Sequence, residues 1–312
     1  MGATPVKRKI NRRNKSTIRK GDLIFYIALL AIPLLQIAVF YFGVNFQSFL
    51  LAFQKWEGNE FVFDVSHNVS LFINDISKRG FWMMVGNSFL VYLFTSLTGT
   101  VLATVFSYYI YKRRTLSNFF KFVLFLPSIL PALLMVIMFR AFASDAFPAY
   151  FEIIFGHEMP NFLDISYSGT QTRFFIVTAY TIWISFGAQV LVYTGAMDQI
   201  PTEIIEAGRI DGTNSFTEFI HIIFPNILTT VGTFLIAGVA SIFTNQNNLF
   251  SFFKWDAINQ NEETIGYYLY YLVYSSQGKS GYTYAAFLGL ICTIIVIPLS
   301  FAVRKIIERI TK

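Results

Sequence analysis

EIIEAGRIDGTNSFTEFIHIIFP, Glu203–Pro225, sets charge and glycine between two long apolar runs. Thr202, after Pro201, reads as a helix N-cap, and Glu203 and Glu206 stand early in the helix, where carboxylates meet the positive end of its dipole. Gly212 offers the left-handed residue that closes a helix. Ser215 and Glu218 have the spacing of a capping box for a second helix, and Pro225 marks the turn into the next apolar run. The stretch is predicted as helix, tight turn, helix. Ala207 and Gly208 leave one face nearly flat, permitting close approach of another surface, with Arg209 and Asp211 as polar rims. Ile204 and Ile205 either pack back on the rest of the chain or fill an apolar slot in a partner. The plainer reading is a helical connection lying on a membrane.

That a membrane is present follows from composition. The 312 residues are 54% hydrophobic and 13% charged, with 36 Phe and 17 Tyr, a balance that the surface of soluble domains could hardly carry. Apolar runs of about 20 residues are long enough to cross a hydrocarbon core as helices. Six are predicted, at about 23–44, 86–111, 119–142, 174–197, 226–244 and 284–303. The first is long, carries Pro33 and Gln36, and is read as a retained span rather than a cleaved signal. The fold class expected is all-α integral membrane: six transmembrane helices with a cytoplasmic helix-turn-helix loop at 200–225.

Lys and Arg set the orientation. Residues 1–22 form a basic tail, Lys112, Arg113, Arg114 and Lys121 flank the second connection, and Arg304, Lys305, Arg309 and Lys312 close the chain. Both termini and the hairpin are therefore expected in the cytoplasm. The net charge of +6 is confined to membrane flanks, which points to lipid and not to nucleic acid. On the opposite side, residues 45–85, with Trp56 and Trp82, are expected to pack as a small cap. Tyr267, Tyr270, Tyr271 and Tyr274 share a helical face, read as an aromatic belt at the interface or a docking surface.

Catalytic signatures are missing. Gly278-Lys279-Ser280 imitates the end of a phosphate-binding loop, but Val273 stands where that loop needs glycine. His67, His157 and His221 are scattered, and Cys292 is the sole cysteine, so no metal-ligand spacing occurs. The chain is expected to be non-catalytic, with no cofactor or metal of its own.

Polar residues within spans show which faces turn inward. Thr178, Thr181, Ser185, Gln189 and Tyr193 form one stripe at helical spacing, with Tyr180 and Trp183 on neighbouring faces. Hydroxyls, an amide and aromatic faces together suit a neutral sugar, and the stripe could line a solute pathway. Interhelical packing is the competing reading for each residue. In the second span, Ser96, Thr100 and Thr104 beside Gly99 and Ala103 form a small-residue packing seam. No ionisable residue lies near a span centre, which argues against proton or ion coupling.

Glu206-Ala207-Gly208, Asp211-Gly212, Phe219, Ile222 and Pro225 match in order and spacing the cytoplasmic signature of permease subunits of binding-protein-dependent ABC importers, which this chain resembles. Ile200-Pro201 with Glu203 is similar to the carbohydrate branch. The basic tail, the Pro-containing first span, Phe53 to Trp56, Asn87-Ser88 and Leu126-Pro127 resemble the first permease of maltose-type systems. The departures are Gly208 and Thr213 in place of alanine, and Asn245-Gln246-Asn247-Asn248 in place of a glycine-rich turn.

The resemblance implies that Glu203, Glu206, Ala207, Gly208, Asp211, Gly212 and Pro225 belong to a coupling helix and its flanks. That helix would seat in a separate cytoplasmic ATPase dimer, which binds ATP and Mg. It also implies a second homologous permease, an extracellular or periplasmic solute-binding protein, and residence in a bacterial plasma membrane. A permease of the same class for glycerol phosphate, an amino acid or a peptide is the alternative, and a secondary carrier a more remote one. A phosphate-bearing solute would want a cation on the pathway, and only Arg140 comes close.

Overall fold

The computed structural model describes residues 20–159, 161–254, 261–274 and 279–311. Most of the basic tail and Gly278 lie outside the described residues.

Two compact units divide at Leu50. The first is a continuous helical run. Helix α1 (Lys20–Gln36) contains Pro33, which cannot donate to the preceding turn, and beyond it the helix widens to i→i+5 pairing over Ile37–Val44. It then continues as α2 (Asn45–Leu51).

The second unit opens on a hairpin of β1 (Gln54–Glu57) and β2 (Glu60–Phe63), turned at Gly58 and paired Trp56 to Phe61. Helix α3 (Val65–Ile76) follows, capped by Asp64, whose carboxylate accepts from the His67 N–H. Asn68 is fully buried and donates to the Ala52 and Gln54 carbonyls at 3.0 and 2.9 Å, tying α3 to the hairpin. Of the segment 45–85 expected as a small cap, residues 52–76 pack together in this way, whereas 45–51 and 79–85 belong to the flanking long helices.

Helix α4 (Arg79–Tyr111) starts before the apolar run does. Its 33 residues reach about 50 Å, well beyond a ~30 Å hydrocarbon core, so its end projects toward the hairpin 200–225. The run at 119–142 is not one helix. It divides into α5 (Ser117–Ile129) and α6 (Ala132–Ala141), with Leu130 extended at φ −75, ψ 148. Pro131 is the cause: its ring excludes helical geometry at the residue before it, and it has no N–H to give. A π-turn at Phe142–Ala146 joins α6 to α7 (Phe147–Phe155), which extends the third crossing past 142.

Next come α8 (Ile165–Met197), α9 (Thr202–Ile210) and α10 (Ser215–Glu218). The last of these runs through a π-turn (Phe219–Ile223) into α11 (Phe224–Ala240). Helices α12 (Leu249–Phe253), α13 (Ile265–Tyr274) and α14 (Lys279–Ile310) complete the chain. Among the described residues, six helical stretches are long and apolar enough to cross a membrane: Leu23–Leu51, Arg79–Tyr111, Ala132–Phe155, Thr172–Met197, Ser215–Ala240 and Lys279–Ile310. The protein is an all-α multi-pass membrane protein.

Helix α8 is the axis of the second unit. The Ser107 hydroxyl on α4 donates to the Val190 carbonyl at 3.0 Å. Against α5 the approach is closer still, since a Cβ at Gly187 would fall 1.9 Å from the Leu124 oxygen. The seam expected on α4 does pack: Ala103 is fully buried, and Gly99 lies beside the Gln189 amide. The four tyrosines of α13 do not form one belt. Tyr267 is buried and donates to the Lys254 carbonyl at 2.8 Å, because α13 turns that face into the protein, whereas Tyr274 stays exposed with its ring tilted against that of Tyr270 at 4.4 Å.

Candidate functional site

The hairpin has the predicted order of elements but different caps. Pro201, at φ −55 and ψ 134, takes the N-cap position of α9, so Thr202 is already helical and caps nothing. Gly212 closes the helix at φ +81. The Thr213 N–H donates to the Gly208 carbonyl at 3.0 Å and the Gly212 N–H to that of Arg209 at 3.1 Å, the paired bonds of a Schellman end. Thr213 adds its hydroxyl to the Gly208 carbonyl at 2.8 Å.

The cap of α10 is Asn214, not Ser215. Its extended backbone lets the side-chain oxygen accept from the Phe216 and Thr217 N–H groups at 3.0 and 2.9 Å. Glu218 consequently does not reach back to a cap. It is 3% exposed and forms an ion pair with Lys112 at the end of α4. Tyr108 donates its hydroxyl to the Ser215 carbonyl at 2.9 Å, and its ring lies 5.1 Å from that of Phe219. Sequence reading missed this cluster, taking Lys112 as a topological charge and Glu218 as part of the capping box. Nor does Pro225 mark a turn: the helix passes through it after the π-turn, which makes room where proline removes a donor.

Gly208 is buried, and a Cβ there would meet Ile222 at 2.4 Å, so its close approach serves the interior of the hairpin. The outer surface is formed by Glu203, Glu206, Ala207, Arg209, Asp211 and Gly212, with Ile210 at 86% and Phe216 at 73% exposure. Pro225 is exposed nearby. Two large apolar side chains thus stand exposed among charges on this turn.

Along α8 the polar stripe divides. Thr178 is buried and accepts from the Asn247 amide at 3.0 Å; Thr181 donates to the Asn247 oxygen at 2.8 Å and accepts from Asn248 at 3.0 Å. These two residues clasp the loop Asn245-Gln246-Asn247-Asn248. Tyr180 is enclosed between Phe139 and Phe252, at 4.8 and 4.9 Å, and Tyr193 lies fully buried against Phe234 at 5.4 Å, so neither offers a face to solute in this conformation. Trp183 and Ser185 are exposed. The Gln189 Oε1 and the Tyr180 hydroxyl are buried with no hydrogen-bond partner among the described residues, while the Tyr193 hydroxyl faces Thr100. Beside the clasp, Arg173 and Glu262 form a buried ion pair at 2.6 Å, with the guanidinium 4.3 Å from the Phe253 ring. Burial pushes the Glu262 carboxyl up, against the pull of Arg173.

Relatives place this architecture. The chain is 24% identical over 272 residues to the multiple sugar-binding transport system permease protein MsmF of Streptococcus mutans, covering 86% of this chain and 89% of that one. It is 24% identical over 284 residues to the arabinooligosaccharides transport system permease protein AraP of Bacillus subtilis, covering 87% and 85%. The match to the maltose/maltodextrin permease MalF of Vibrio parahaemolyticus, 28% identical, covers 53% of this chain and 30% of that longer one. The fold is that of a bacterial alginate ABC transporter chain solved in complex with a pentasaccharide-bound periplasmic protein, at TM-score 0.77, 17% identity, and 94% and 96% coverage. Residues 95–312, from mid-α4 through the hairpin to the C-terminus, match the family described as binding-protein-dependent transport system inner membrane component, and the chain belongs to that family.

Proposed function

We propose that this chain is one of two homologous permeases of an ATP-driven importer that passes a sugar or oligosaccharide delivered by an external binding protein. In this reading residues 200–225 are cytoplasmic, as are both termini, and the hairpin seats in a separate ATPase dimer. ATP and Mg act in that dimer; this chain supplies the path and the mechanical contact. The observation that carries the reading is the surface of α9 and its turn. Ile210 and Phe216 stand almost free among Glu203, Glu206, Arg209 and Asp211, on a helix ended by a Schellman closure.

Support for a sugar comes from the substrates named for the relatives and from α8. Trp183 and Ser185 are open, and the unpartnered Gln189 oxygen is an acceptor that a hydroxylated solute or water would satisfy once the helices part. A change of state biased by the ATPase requires contacts that differ between states. The test is purification of the tagged chain in mild detergent, with mass spectrometry of what accompanies it and uptake of labelled oligosaccharides. Retention of an ATPase and a second permease, with the ATPase lost on Glu206→Lys, is the expected result. A chain that purifies alone and moves solute unaided overturns the proposal.

A further inference from the structure

We infer that Lys112 and Glu218 are positioning residues that form the joint through which movement of the hairpin reaches α4. The inference rests on the coupling reading above and identifies the contact inside this chain that transmits it. Three observations place the joint. Helix α9 is fitted to the π-turn after α10 through Gly208 and Ile222, so a push on α9 is passed to the helix that begins at Ser215. That helix is fastened to the end of α4 by the Lys112–Glu218 pair and by Tyr108. Tyr108 donates to the Ser215 carbonyl, and its hydroxyl lies 3.4 Å from Glu218 Oε1. From α4, the Ser107 hydroxyl leads on to the Val190 carbonyl of α8, the helix that bears the polar stripe.

The chemistry makes this joint unlike the rest of the hairpin surface. An exposed ion pair opens and closes readily in water, but a buried carboxylate that loses its cation is costly to strand, and a neutral hydroxyl beside it does not balance the charge. Glu218 is buried, and the Lys112 ammonium sits over the Tyr108 ring, 5.6 Å from its centroid. The tip of α4 and the start of α10 are therefore held together through the transport cycle and move as one body. Neither charge lies on the exposed face of α9, so the pair can be altered without touching the surface offered to the ATPase.

The experiment uses the whole complex in membranes, comparing wild type with Glu218→Gln, Lys112→Met, the reversed pair K112E/E218K and the apolar pair K112M/E218L. Two quantities are read: ATPase subunit retained on purification, and solute moved per ATP hydrolysed. The single variants are expected to keep the ATPase but lose about tenfold in solute per ATP, within the range of ordinary coupling factors. Both matched pairs should recover most of that loss, because either packs the joint without an orphan charge. Single variants within twofold of wild type, or matched pairs no better than the singles, would overturn the inference. Should the singles fail to accumulate, the matched pairs alone decide: wild-type coupling in both supports the joint, and uncoupling in both refutes it. Wild-type protein that retains no ATPase defeats the coupling reading instead, so the two failures are distinguishable.

Discussion

Asn247, with no exposed surface, holds two threonines of α8 at once: its amide nitrogen donates to Thr178 at 3.0 Å and its oxygen accepts from Thr181 at 2.8 Å. Both it and Asn248 have positive φ, 51 and 56, which asparagine tolerates better than most residues. Asn247→Leu would take this partner from the buried Thr178 hydroxyl and the part-buried Thr181 hydroxyl and force a branched chain into the same backbone. It should lower stability by about 2–4 kcal/mol, and Thr178→Val by only about 1 kcal/mol. Thermal melting in detergent micelles would separate them; equal melting temperatures would show that the clasp contributes nothing.

The same substitution at two glycines of α8 should have opposite signs. At Gly187 a methyl would meet the Leu124 carbonyl at 1.9 Å, and backbone cannot yield as a side-chain tip can. Gly187→Ala should destabilise by about 2–3 kcal/mol. Gly195 has nothing within 4 Å of that position, and Gly195→Ala should be neutral or stabilise by up to ~1 kcal/mol. The melting temperatures of the pair provide the check.

Within the hairpin, Gly208 faces the movable end of Ile222. Gly208→Ile should loosen α9 and expose the turn at Gly212 to protease, and adding Ile222→Ala should restore protection. If the double variant is cleaved as fast as the single, the two side chains do not share that space.

Acid should open the cap over residues 54–76. The Asp64 carboxyl is lowered from 3.8 to about 2, first by the Ser66 hydroxyl, then by Lys55 and the His67 N–H. Its folded value lies below its unfolded one, so its contribution is fully present above about pH 4 and is lost as the pH falls through 2. Trp56 reports on this region, with Phe61 4.7 Å away and the Lys279 ammonium 4.4 Å from its ring. Its fluorescence should change between pH 4 and 2, and Asp64→Asn should remove that step.

The helical class, the number of crossings and the two-helix hairpin were legible because each rests on a period or a length that survives any packing, whereas the third crossing, read at 119–142, is displaced to Ala132–Phe155. Caps were not. Asn214 and Ser215 are both good capping residues, and only the backbone decides which stands in the extended position. Prolines were equally ambiguous: Pro127 lies inside α5, yet Pro131, four residues on, ends it. The polar stripe on α8 was visible as a face, but a hydroxyl that lines a path and one that clasps a loop have the same sequence signature. Thr178 and Thr181 are in contact with Asn247, which the sequence did not announce. Lys112 and Glu218 are far apart in sequence, and no local pattern pairs them.

The interruption at Leu130–Pro131 has a bearing on where lipid can stand. Leu130 packs in the cluster that includes Val177 and Tyr180, so the gap lies at the depth of the α8 crossing and not at its edge. The last carbonyls of α5 meet no continuing helix there, and Pro131 brings no N–H. Hydrocarbon offers such groups nothing, and each left bare would cost several kcal/mol. These carbonyls therefore call for water or protein beside them when the molecule sits in its bilayer, even though Ile129 and Leu133 on either side of the break are exposed apolar residues.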